Sequence, residues 1–219
     1  VGSESTEAVD QPLSESVRQA RRDREMLERY HGRKLEGQQA VEAIDTAWPF
    51  LQSRDRFLRA AARVAIESQP TGLWRGRVNR ESSPQALITA AVALARAGEA
   101  SDQAPLLGRL LQIDTKSLSE SQMLGLLRAV SLTCVRLAKP TEAQRKQMIG
   151  KFDPLLPSSS DKINTELVQL LVYLDSHTAS GRRLHGMFPK RRGQGFSVEQ
   201  IKNRANNRIA EGKDRWTAT

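Results

Sequence analysis

The stretch RDRFLRAAARVAIESQ, residues 54–69, decides the fold class. Its apolar residues recur three, four and seven positions apart, which is the spacing of one face of an α-helix. The predicted core-facing residues are Phe57, Leu58, Ala61, Ala62, Ala65 and Ile66. Its other face carries Arg56, Arg59 and Arg63, and Asp55 lies four residues before Arg59, an order that favours a helical ion pair. We interpret these arginines as a solvated ridge paired with nearby acids, with a binding site as the alternative.

Helical patterns also cover the sequence on both sides of this stretch. We predict helices over residues 14–30, 38–51, 83–98, 101–112, 119–139, 141–156 and 161–175. Ser83 before Pro84 indicates a helix start, and Ser119 and Thr141, each followed three residues later by glutamine, resemble capping boxes. No stretch shows strand alternation or a hairpin turn. The sequence therefore predicts an all-α fold.

The spacing of the most apolar helices predicts how they are arranged. These helices begin near positions 55, 84, 120 and 161, and a more polar helix precedes each one. A loose period of roughly 30 to 40 residues with two helices per unit is typical of HEAT or armadillo-like arrays. We predict a right-handed α-solenoid of antiparallel helix pairs, whose hydrophobic seam runs through Phe57, Leu94, Val130 and Leu170. A compact irregular bundle is the alternative.

Charge divides the chain into three parts. The 219 residues carry a formal charge of +9. Residues 177–219 contribute +7 of it, because they contain 10 basic and 3 acidic residues. We expect residues 1–13 to be a linker, residues 14–176 a helical-repeat domain and residues 177–219 a basic, largely flexible tail. No apolar run approaches the roughly 18 to 20 residues of a membrane span. Composition does not give the localisation, and we expect the chain to be a piece of a longer protein.

The basic tail holds the strongest electrostatic feature of the sequence. The candidate polyanion-binding residues are Arg182, Arg183, Lys190, Arg191, Arg192, Lys202, Arg204 and Arg208. Phe188 and Phe196 are candidate stacking groups for nucleic acid. The spacing fits no nucleic-acid-binding module, which favours a solubilising tail without a partner.

Catalytic and metal-binding motifs are missing from the sequence. The three histidines, His31, His177 and His185, are scattered, and no GxSxG, HExxH, CxxC or phosphate-loop motif occurs. The single cysteine, Cys134, lies on the inward seam of its helix, so we predict a buried, unreactive thiol. Trp48, Trp74 and Phe57 are expected to be packing aromatics at inter-helix corners. We predict no enzyme activity, no metal site and no cofactor for this chain.

Four stretches carry a resemblance to a known family. They are TAWPFLQSRDRFLRAAARVAIESQPTGLW, PQALITAAVALARAG, LGLLRAVSLTCVRLAKP and FDPLLPSSSDKINTELVQLLVYLD. Together they resemble the HEAT-repeat region of very large secreted bacterial proteins of the haem-binding or membrane-bound dehydrogenase type. In that family, a β-propeller similar to sugar dehydrogenases precedes the helices and a c-type cytochrome domain follows them. The similarity covers about residues 1–176, and the sequence beyond residue 175 departs from it.

The resemblance implies a scaffold rather than a catalyst. The family's haem-attachment CxxCH belongs to another domain and is absent here, so no cofactor residue carries over. It implies a spacer or docking module within a larger secreted or periplasmic redox protein, whose partners are protein domains of the same or another chain. One alternative is a nucleic-acid or polyanion-binding repeat protein that uses the tail and the arginine ridge. Another is an enzyme similar to the HEAT-like DNA glycosylases.

Overall fold

A computed structural model describes residues 14–174, and every regular element in that range is helical. The α-helices are α1 Glu15–Glu28, α2 Gly37–Ala47, α3 Arg56–Glu67, α4 Arg75–Val78, α5 Pro84–Ala97, α6 Gln103–Gln112, α7 Glu120–Leu132, α8 Glu142–Phe152 and α9 Asp161–Tyr173. Short 3-10 turns cover Trp48–Gln52, Thr71–Leu73, Ala100–Asp102, Thr115–Ser117 and Asp153–Leu155, and a π-helical segment covers Thr133–Leu137. The predicted all-α class is confirmed.

Three predicted helix starts, at Ser83, Ser119 and Thr141, are confirmed by their caps. The Ser83 hydroxyl accepts a hydrogen bond from the Ala86 N–H at 3.4 Å, and Pro84 is the first helical residue of α5. Ser119 with Gln122, and Thr141 with Gln144, form capping boxes in which side chain and backbone bond in both directions. Each cap satisfies N–H groups that have no partner inside the helix, and stabilises the start by about 1 kcal/mol.

Some helix boundaries differ from the predicted ones, whereas the ends predicted at Gly98 for α5 and at Gln112 for α6 agree with the structure. The helix predicted over residues 38–51 was expected to kink or end at Pro49, and this is confirmed: it ends as an α-helix at Ala47 and continues as the Trp48–Gln52 turn, because Pro49 supplies no N–H to an α-helical turn. The helix predicted over residues 119–139 changes at Leu132 into the π-helical segment Thr133–Leu137. Helix α3 begins at Arg56 rather than residue 54, because the Asp55 carboxylate caps it and accepts from the Phe57 N–H at 2.7 Å.

The alternate helices α1, α3, α5, α7 and α9 form a row in which each packs beside the next. The other helices pack against members of this row: α2 on α3, α6 on α5 and α7, and α8 on α9. Helix α5 is buried along most of its length because α3, α7, α4 and α6 all contact it. Its many alanines allow this close approach of several neighbours.

The predicted core is confirmed at Leu94, Val130 and Leu170, which are at most 1% exposed. It is wrong at Phe57, which is 54% exposed and carries the Arg56 guanidinium 4.6 Å from its ring centroid. Phe57 lies in the first turn of α3 at the edge of the apolar face, where no neighbouring helix covers it. The structure therefore removes Phe57 from both the seam and the predicted packing aromatics.

Trp48 and Trp74, the two tryptophans predicted to be packing aromatics, are both buried. Trp74 donates its indole N–H to the Gln69 carbonyl at 3.3 Å. Trp48 donates its indole N–H to the Glu81 carboxylate at 2.7 Å, and the Arg77 guanidinium lies 4.5 Å from its ring centroid. Both rings therefore bury a large apolar surface while the polar N–H keeps a partner.

Candidate functional site

A groove crosses the row of helices where α3, α5 and α7 lie side by side. Its volume is about 240 Å³. Five arginines line it: Arg59 and Arg63 from α3, Arg96 from α5, Arg128 from α7, and Arg136 from the π-helical segment. Apolar groups form much of the remaining wall: Ala60, Ile88, Val92, Gly125 and Leu132. The groove thus combines an apolar floor with positive charge.

Helical spacing explains why these side chains converge. Arg59 and Arg63 are four residues apart on α3, and Ile88, Val92 and Arg96 follow one another at four-residue intervals on α5. Residues three or four apart share a helix face, so each helix turns one strip of side chains toward the groove.

Gly125 allows α7 to approach α5 closely at the groove floor. A Cβ atom at Gly125 would lie 3.0 Å from the Ile88 Cγ2 atom, which is tighter than ordinary packing. The missing side chain therefore keeps the floor flat and the two helices close together.

The π-helical segment helps to place Arg136. In an α-helix, residues at four-residue intervals drift around the axis because a turn takes 3.6 residues. A π turn, with its i→i+5 hydrogen bonds, contains more residues than an α turn. Each residue therefore rotates less about the axis, and the drift is reduced. Arg136 accordingly stays on the same side as Arg128, and its Nε atom donates to the Ala95 carbonyl at 3.3 Å.

A carboxylate ties two of the arginines together behind the groove. Glu67, whose side chain is 12% exposed, pairs with Arg63 through Oε1 and with the Arg96 Nε atom through Oε2 at 2.9 Å. The predicted pairing of the arginine ridge with acids is therefore correct for Arg63. The predicted ion pair between Asp55 and Arg59 is wrong, because Arg59 Nη1 instead donates to the carbonyls of Ser53 at 2.6 Å and Arg54 at 3.0 Å.

The groove has an excess of positive charge. Among the described residues that line it there is no carboxylate. Arg59 and Arg136 bond to backbone carbonyls, which leave their charge unneutralised. Burial lowers the pKa of Arg128, Glu166 raises it, and the charges of Arg63 and Arg96 lower it further. The guanidinium groups of three helices therefore repel one another across this space, which favours the binding of an anion.

A second depression continues the groove between α7 and α9. Its volume is about 460 Å³, and it shares Gly125 and Arg128 with the first. Lys162 and Glu166 lie on its α9 side, and the Lys162 ammonium pairs with Glu120 at 3.4 Å. Because acids accompany the bases here, the positive charge is concentrated where α3, α5 and α7 meet.

The predicted candidate residues are only partly within the described part of the chain. All eight candidate polyanion-binding residues of the tail, from Arg182 to Arg208, lie outside the described residues, as do His177, His185, Phe188 and Phe196. Of the arginine ridge, Arg59 and Arg63 line the groove, whereas Arg56 lies over Phe57 and outside it. The His31 Nε2 atom lies 2.8 Å from the Ala61 carbonyl, where it joins the turn after α1 to α3.

The prediction for Cys134 is confirmed as far as its burial is concerned. The side chain is 1% exposed, and its Sγ atom lies 3.9 Å from the Met148 Sδ atom. Burial raises the pKa of the Cys134 thiol to about 12. A thiol with such a pKa is almost entirely protonated near neutral pH and is a poor nucleophile.

Three of the five groove arginines were not among the predicted candidate residues: Arg96, Arg128 and Arg136. One local signal was present, because Arg96 is the only charged residue within α5. A charge retained in an otherwise apolar helix marks the place where that helix reaches the surface. The spacing of eight residues between Arg128 and Arg136 also indicates a common helix face, but nothing local places that face beside Arg59.

The described part of the chain has neither a cluster of metal-ligating side chains nor a membrane-spanning helix. Between residues 14 and 174, no three side chains of His, Cys, Asp or Glu are grouped to hold a metal ion. No helix in this range has the length and apolar character needed to cross a membrane.

The chain matches no protein-family model, no curated protein and no solved structure. The resemblance to the HEAT-repeat region of secreted bacterial proteins therefore stays a prediction. Fold and site together define the class of protein as an all-helical one with an arginine-lined groove across three neighbouring helices.

Proposed function

We propose that the chain is a non-catalytic, HEAT-like helical-repeat module that binds an anionic segment of a partner protein in the arginine-lined groove. The observation that carries this proposal is the convergence of five arginines from α3, α5, α7 and the following π-helical segment around one apolar floor. Guanidinium groups bind carboxylates through paired hydrogen bonds, which gives both charge attraction and geometric selectivity.

The helix order supports the repeat architecture within this proposal. The row helices α3, α5, α7 and α9 begin at residues 56, 84, 120 and 161, close to the spacing expected of two-helix units. Each of them packs mainly against the preceding and following row helix. A groove that crosses several such units is the usual kind of binding surface in helical-repeat proteins.

A binding role also suits the chemistry of the groove better than an acid–base role. Arginine remains protonated at physiological pH, so it does not exchange protons with a substrate. We therefore assign the groove to recognition. The resemblance adds the proposal that this module connects or positions other domains of a larger secreted redox protein.

The first test is fluorescence anisotropy with a labelled glutamate-rich peptide at two salt concentrations. We expect binding that weakens steeply with salt, because the attraction is between charges. The double variant Arg59→Gln, Arg128→Gln should bind at least about tenfold more weakly, equivalent to about 1.4 kcal/mol. The matched control is Arg29→Gln, Arg80→Gln, which removes two charges at exposed positions outside the groove and should change affinity less than about twofold.

Three outcomes would overturn the proposal. Absence of peptide binding at low salt would exclude an anionic protein partner. Equal losses in the two double variants would place the binding outside the groove. Tighter binding of a single-stranded oligonucleotide of equal charge, unaffected by the groove substitutions, would favour the polyanion-binding alternative based on the tail.

A further inference from the structure

We infer that the partner segment is an extended acidic peptide with one apolar side chain, which inserts into the groove floor between flanking carboxylates. This inference rests on the proposed function and specifies its ligand. It follows from three properties of the groove: its size, the chemistry of its floor, and the distribution of its arginines.

The size of the groove suits one side chain. Small-molecule sites commonly measure about 300 to 1,000 Å³, and a cavity of about 150 Å³ can hold a benzene molecule. A volume of about 240 Å³ is sufficient for one large apolar side chain, and the second depression of about 460 Å³ that continues the groove leaves room for the residues beside it.

The floor supplies apolar contacts for that side chain. Ala60, Ile88, Val92 and Leu132 come from three different helices and surround the same space. Val92 and Leu132 are only partly buried, and Ala60 is exposed, so an inserted apolar group would cover surface that now faces water. Removing this surface from water favours binding of an apolar group over a polar one.

The arginines stand on both sides of this floor. Arg59 and Arg63 lie on the α3 side, whereas Arg128 and Arg136 lie on the α7 side. Carboxylates before and after the inserted residue would each meet guanidinium groups while the peptide stays extended across the helices. Charge complementarity thus selects an acidic peptide rather than a basic or a neutral one.

The same lining argues against nucleic acid as the occupant. Proteins that bind single strands combine positive charge with aromatic side chains on which the bases stack. Among the described residues that line this groove there is no aromatic side chain. Aliphatic groups and arginines can accommodate an acidic peptide with an apolar anchor, but they offer no comparable platform for successive bases.

The inference is tested with two labelled peptides that differ at one position. Both contain eight glutamates, and the central residue is leucine in one and serine in the other. We expect the full chain to bind the leucine peptide about tenfold more tightly. A single-stranded oligonucleotide of equal charge serves as a third probe and should bind more weakly than the leucine peptide.

A variant that fills the groove locates the inserted side chain. Ala60 is exposed, so Ala60→Leu adds volume to the groove without entering the core and without changing its charge. We expect this variant to keep binding the serine peptide within about twofold and to lose the preference for leucine. The matched control Ala143→Leu, at an exposed position on α8, should keep the full preference.

The outcomes separate this inference from the proposed function. If both peptides bind equally well and the binding depends on Arg59 and Arg128, the proposed function stands and the apolar anchor is wrong. If leucine is preferred equally in the wild type and in Ala60→Leu, the anchor binds elsewhere and the inference fails. If neither peptide binds, the proposed function fails as well.

Discussion

Cys134 is the residue whose environment has the clearest consequence for pH dependence. Its thiol has an ordinary pKa of about 9 and a folded-state pKa of about 12, because burial disfavours the thiolate. The unfolded state therefore loses a proton above pH 9 that the folded state retains. The contribution of this thiol to the free energy of unfolding is therefore fully present below pH 9 and decreases as the pH rises from 9 toward 12.

We predict that urea unfolding will show this loss when pH 8 is compared with pH 10.5. The wild type should lose stability more steeply than Cys134→Ala, by at most about 1.4 kcal/mol per pH unit. The alanine variant will start from a lower stability because it leaves a cavity, so the slope is the informative quantity. Parallel profiles for the two proteins would show that the thiol titrates normally and is not buried.

Glu67 is a second residue whose largely buried environment has a consequence for stability. Its carboxylate pairs with both Arg63 and Arg96, and all three side chains are less than a quarter exposed. We predict that Glu67→Gln will lower the free energy of unfolding by about 1 to 3 kcal/mol, because two neighbouring guanidinium groups lose their counter-charge.

The control for Glu67 is an exposed ion pair of the same kind. Glu25 pairs with Arg21 on α1 at 3.5 Å, and both side chains are more than half exposed. Glu25→Gln should change the stability by less than about 0.5 kcal/mol. A Glu67→Gln effect as small as that of Glu25→Gln would mean that Glu67 does not hold α3 and α5 together.

At the scale of elements, the end of α5 depends on a glycine. Gly98 has φ −85°, which any residue adopts, so its backbone conformation does not require glycine. A Cβ atom there would instead lie 2.5 Å from the Leu94 carbonyl oxygen and 2.8 Å from Asp102 Oδ2. The Asp102 carboxylate completes the cap of the next turn by accepting from the Glu99 N–H at 2.9 Å.

We predict that Gly98→Ala will destabilise the protein by about 1 to 3 kcal/mol through this overlap. Gly108→Ala on α6 is the matched control, because nothing lies within 4 Å of the added methyl group. That control should stabilise the helix by about 0.5 to 1 kcal/mol. Thermal unfolding of the two variants in parallel checks both signs, and a neutral Gly98→Ala would contradict the close approach at this helix end.

Helix starts with a side-chain cap were predictable from sequence, whereas the change of helix type after Leu132 was not, and the reason is physical. A cap such as Ser83 or Thr141 acts within three residues, so the sequence contains all the information needed. The change from α-helix to π-helix after Leu132 has no comparable local cause, because Thr133–Leu137 packs against α5 and α6. Phe57 was misassigned for a related reason: spacing defines an apolar face, but neighbouring helices decide how far it is covered.

At the scale of the whole molecule, the candidate site could not be predicted because the packing of helices creates it. Arg63, Arg96 and Arg128 are separated by more than thirty residues from one another in the chain. The sequence places each arginine on its own helix. The three come together in one groove only because α3, α5 and α7 pack side by side in that order. The all-α class, in contrast, followed from local periodicity alone.

The arrangement of helices in a row makes a prediction about how damage spreads. Leu127 on α7 is 1% exposed, so Leu127→Asp places a charge in the core and should cost about 4 kcal/mol or more. In a repeat array each unit is stabilised mainly by its neighbours, so the loss should decline with distance along the row. We expect lower far-UV helicity and loss of amide-exchange protection in α7, α8 and α9, while α1 and α3 keep most of theirs.

The matched control is Ala143→Asp at an exposed position of α8, which should leave both helicity and protection unchanged. The distribution of protection distinguishes the two architectures that the sequence left open. Equal loss in every helix from α1 to α9 would indicate a single cooperative core, as in a compact bundle, and would contradict the array. Unchanged helicity and melting would contradict the packing of Leu127 itself. A graded loss centred on α7 would instead mean that the arginine groove spans units whose stabilities are coupled only through their neighbours.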